Sequence, residues 1–130
     1  MKKKNPIDEA RRYMENAKTL LVEHGDLDED DFFYNNRKCV KKVGNALWRS
    51  VLLVLDAVFH VRQDRRTRVH IDDYLEAIGN RDEKLCRIVD SGYEVLYVIM
   101  GYYGNQCKGI CEDGFRIAND IIDRCAVMLN

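Results

Sequence analysis

The sequence predicts an all-α fold, an up-and-down bundle of four to five helices with a long central second helix. Three observations carry this. The stretch from Cys39 to Val61, CVKKVGNALWRSVLLVLDAVFHV, repeats its apolar residues at helical spacing with no proline to interrupt it. No segment shows sustained period-two alternation bounded by strand punctuation. The connections between helical patterns are short, which makes antiparallel neighbours the default. At 130 residues the chain has room for one domain, residues 1–130.

The first helix is announced by Asn5, Pro6 and Asp8, which supply an N-cap oxygen, a pre-set first helical residue and a negative charge near the dipole's positive end. Its core face is Ile7, Ala10, Met14, Ala17 and Leu21, with Gly25 as the stop. The acidic GDLDEDD that follows is expected to be a solvated loop. It lacks the central glycine and final glutamate of an EF-hand calcium loop.

The second helix is expected to start between Asp31 and Asn36 and to end near Gln63, a length of about 40 Å. Val40, Val43, Leu47, Val51, Val54, Val58 and Val61 form one apolar row, and Trp48, Leu52, Leu55 and Phe59 a second. Together they are wider than the stripe of a surface helix, so other helices must pack around most of this one. A short third helix, about Asp72 to Ile78, closes at Gly79, and Asn80 with Glu83 resembles a capping box for the fourth. The fourth carries the seam Leu85, Val89, Gly92, Leu96, Ile99 and Tyr103 and ends at GYYGN. The fifth carries Cys107, Cys111, Phe115, Ala118, Ile122, Cys125 and Leu129.

Hydrophobic residues at 46%, charged residues at 33% and a single proline are globular values. The formal net charge of −1 means that any nucleic-acid role must rest on a local basic patch. MKKKNPIDEARRY has no apolar core for a secretory signal, and the run Val51 to Phe59 contains Asp56 and is too short to span a bilayer. A cytoplasmic protein with no membrane association is expected, and five cysteines without a disulfide-scaffold pattern fit reduced thiols there.

On the narrow polar side of the second helix lie Lys42, Asn45, Arg49, Asp56, His60 and Gln63. Asp56 and His60 are four residues apart, so the carboxylate can orient the imidazole as in general-base sites, or simply form an ion pair at the helix edge. Cys107, Cys111 and Cys125 share a seam, but no second pair or histidine completes a tetrahedral zinc set, so they are expected in the core. No metal or cofactor is expected. The densest basic cluster is Arg62, Arg65, Arg66 and Arg68, followed by His70. These arginines can contact phosphates, with His70 as a proton donor or acceptor, or can offset the dipole at a helix C-terminus. Tyr93, Tyr97, Tyr102 and Tyr103 can stack bases, although helical spacing favours core and rim positions.

The first helix IDEARRYMENAKTLL, the aromatic connection FFYNN and the small residues of GNALWRSVLLVLDAVF together resemble the HEPN-like group of bacterial helical bundles. That group includes the substrate-binding helical partners of nucleotidyltransferases, and the chain looks closer still to an uncharacterised bacterial family of small single-domain proteins. Active HEPN-like ribonucleases carry an arginine and a histidine four to six residues apart, a spacing that Arg65 and His70 meet, and such bundles often dimerise. The leading expectation is a non-enzymatic module that binds a protein partner or a second copy as a homodimer. Alternatives implied by the resemblance are a metal-independent ribonuclease or RNA-binding toxin-like protein, and a helical partner of a nucleotidyltransferase.

Overall fold

The computed structural model describes residues 5–61 and 70–129. The described residues form an all-α bundle of α1 (Pro6–His24), α2 (Arg37–Phe59), α3 (Ile71–Gly79), α4 (Glu83–Gly92) and α5 (Lys108–Leu129), with a π-helix, Tyr93–Tyr102, continuing from α4. α2 runs through the centre against α1, α3, α5 and the π-helix. Val40, Val43, Leu47, Val51 and Val54 are fully buried along the expected row.

α1 begins where expected, with the Asn5 side chain accepting from the Ile7 N–H. It ends at Gly25, but not through a left-handed turn, since Gly25 is right-handed helical at φ −67°. Glycine is required there by space: a Cβ would sit 2.5 Å from the Leu21 carbonyl oxygen and 2.7 Å from the Tyr34 ring. The acidic loop folds on itself, with the Asp28 carboxylate accepting from the Phe32 and Phe33 N–H groups at 2.9 and 3.3 Å.

α2 is shorter than its pattern suggests. Asp31 adopts a positive φ of 61°, which keeps it out of the helix, and Asn36 supplies the cap by accepting from the Cys39 N–H. At the other end, His60 turns left-handed and stops the helix after Phe59. The cap of α4 also differs from expectation. Asp82, not Asn80, accepts from the Leu85 N–H at 3.0 Å.

The largest departure is the π-helix. Leu85, Val89, Gly92 and Leu96 are buried in the expected seam, but the next buried residues are Met100, Gly101 and Gly104, while Tyr103 points to solvent. Wider turns move the inward positions later in the chain than a 3.6-residue period allows. The Tyr103 N–H reaches back five residues to the Val98 carbonyl at 3.0 Å.

Candidate functional site

The polar end of α2 is a joint between helices. Asp56 is half-buried, and its carboxylate accepts a 2.9 Å hydrogen bond from the hydroxyl of Tyr74, a buried residue of α3. His60 has φ 54° and ψ 37°, and its N–H closes the helix on the Asp56 carbonyl at 3.0 Å. The left-handed backbone swings the imidazole out of the direction that helical four-residue spacing gives, and no ion pair joins it to Asp56 among the described residues. Beside it the Arg81 guanidinium lies 4.9 Å over the Phe59 ring and donates to the Val58 carbonyl at 3.4 Å.

His70 is exposed at the start of α3, where its N–H donates to the Asp73 carboxylate at 2.9 Å. Gln63, Arg62, Arg65, Arg66 and Arg68 lie outside the described residues. Cys111 and Cys125 are core residues of α5, and burial pushes each thiol up to about 12. Cys107 is half-buried just before α5. Among the described residues no group of three histidine, cysteine or acidic side chains is placed to hold a metal ion, and no helix is long and apolar enough to cross a membrane.

Chain-distant residues meet in a groove between α1 and α5, with a volume of about 450 Å³. Met14, Leu21, Tyr34, Cys111 and Phe115 supply its apolar lining, and Glu15, Lys18, Glu112 and Arg116 its charged rim. Val22 adds a side chain that is 79% exposed. Burial first, then the neighbouring Cys111 and Glu112, raise the Tyr34 phenol above its ordinary value. The site was missed in the sequence because it needs two helices from opposite ends of the chain to be neighbours.

A family model described as "Domain of unknown function (DUF5618)" matches residues 5–127. The chain belongs to the DUF5618 family. Its fold is similar to that of a protein of unknown function from Dyadobacter fermentans, with 32% sequence identity, a TM-score of 0.84 and 96% of each chain covered. No curated protein matches it.

This DUF5618 chain has a second organised surface where α2 runs beside the π-helix. Trp48 meets Tyr93 edge-on at 5.6 Å, and Tyr97 stacks on Tyr93 with ring centroids 5.2 Å apart and planes at 13°. One end of the π-helix closes with Tyr102 and Tyr103 in edge contact at 4.9 Å, followed by Gly104. A Cβ on Gly104 would meet the side-chain stems of Arg37 and Lys41 at 2.6 and 2.9 Å. The cations of α2 and these tyrosines were each noticeable in sequence; their shared face was not.

Proposed function

We propose that this DUF5618 chain is a non-enzymatic binding module that pairs with a second copy of itself through the α1–α5 groove. The observation that carries this reading is the groove itself, an apolar-lined depression of about 450 Å³ with the exposed side chain of Val22 on its wall. The rim holds two acids, Glu15 and Glu112, and two bases, Lys18 and Arg116. A patch balanced in this way is self-complementary, because a two-fold rotation can set acid against base. Catalysis by the groove's thiol is disfavoured, since Cys111 stays protonated at neutral pH with its pKa pushed up to about 12.

Sedimentation and light scattering across a concentration series test the proposal. A dimer is expected for the wild type and a monomer for Val22→Asp, with identical helical circular dichroism. A wild type that stays strictly monomeric up to about 1 mM overturns it, because an affinity weaker than that stabilises an encounter by less than about 4 kcal/mol.

A further inference from the structure

We infer that the face shared by α2 and the π-helix binds single-stranded nucleic acid, with phosphates against the cations of α2 and bases stacked on exposed tyrosines. Charge segregation is the first observation. From Arg37 to Leu55 the chain carries five cations, Arg37, Lys38, Lys41, Lys42 and Arg49, and no acid, in a protein of net charge −1. From Tyr93 to Gln106 the only charged residue is Glu94. Among the described residues, five arginines elsewhere are paired on or between helices: Arg12 with Glu9, Arg87 with Glu83, Arg116 with Asp113, Arg124 with Asp120 and Arg11 with Asp123. Lys38, Lys41, Lys42 and Arg49 make no ion pair among the described residues, and Arg37 donates to the neutral side chain of Gln106.

This arrangement opposes local helix stability. The first turns of α1, α3 and α4 carry acids that suit the dipole; those of α2 and α5 have none, and α2 holds two cations there, Arg37 and Lys38, against the single Lys108 of α5. Negative charge brought by a ligand would relieve the mismatch. Aromatic surface is the second observation. Tyr97 is 44% exposed, Tyr102 69% and Tyr103 64%, and the side-chain stems of Arg37 and Lys41 pack at Gly104, next in the chain after Tyr102 and Tyr103. Unpaired cations on one helix and exposed rings on its neighbour are what a flexible single strand requires, since the backbone needs charge and every base offers a flat face. A duplex hides its base faces and gains only the charge.

The site is separate from the α1–α5 groove and independent of pairing between copies. Fluorescence anisotropy with a labelled oligouridylate of about 20 nucleotides tests it on the full chain. Binding in about the 1–100 µM range near physiological salt, and tighter at low salt, is expected. With about four phosphates neutralised, affinity should fall roughly fifty-fold between about 50 and 200 mM salt. Lys38→Glu with Lys42→Glu should weaken binding at least tenfold, and Tyr102→Ala with Tyr103→Ala about tenfold, each with unchanged helical circular dichroism. An oligothymidylate should bind equally well. The inference fails if no binding occurs at low salt, if a duplex of equal length binds as tightly, or if the tyrosine variant binds like the wild type, which would leave only nonspecific attraction to a polyanion.

Discussion

A Cβ atom on Gly44 would lie 2.6 Å from the backbone nitrogen of Gly101 and 2.7 Å from the carbonyl oxygen of Leu96. α2 and the π-helix therefore approach backbone to backbone at this point, and the obstructing atoms cannot rotate away. Gly44→Ala gains about 1 kcal/mol of helix propensity, but overpacking costs about 1–3 kcal/mol plus the displacement of the π-helix. Urea denaturation should show a net loss of stability.

Tyr74 fastens α3 to the end of α2 through its hydroxyl on the Asp56 carboxylate at 2.9 Å. Tyr74→Phe keeps the ring and removes the donor, so about 1–2 kcal/mol should be lost in chemical denaturation. Hydrogen exchange should rise first in α3. Equal exchange in both proteins would show that this bond does not hold the helix.

His60 occupies a left-handed backbone position that glycine adopts without strain. His60→Gly should therefore raise stability by up to about 1 kcal/mol in thermal or urea melts. A loss instead would reveal a stabilising role for the imidazole.

The thiols of Cys111 and Cys125 predict an alkaline instability. Each pKa is raised from 9.0 to about 12 in the folded chain, chiefly by burial. The folded state then holds more protons than the unfolded state across that window, so stability is complete below about pH 9 and falls as pH rises toward 12. By about pH 10.5 each thiol should remove roughly 2 kcal/mol. Cys111→Ala should flatten the stability–pH profile on this side. A profile identical to the wild type would count against thiol titration as the cause.

Most of the architecture was legible because it is local. The valine row of α2 has one period throughout, and every member from Val40 to Val58 is buried. The Asn5 cap could likewise be read from a few neighbouring residues. Three features could not. The π-helix keeps the apolar composition of an α-helix and changes only the later spacing, from Ile99 and Tyr103 to Met100 and Gly104. The groove needs α1 beside α5, a non-local fact. At the end of α2, Asp56 and His60 pair only on a helical geometry that the chain leaves one residue too early.

The π-helix also bears on how relatives of this chain can differ. Its wider turns place Gly101 against Gly44 while keeping Tyr97 and Tyr102 outside. A relative lacking one residue between Leu96 and Gly101 would regain an α-helical register, lose the glycine crossing and rotate the tyrosines in the same step. Packing and surface are thus joined in one heritable unit, and a single-residue gap at this position in an alignment would mark a branch that has given up both.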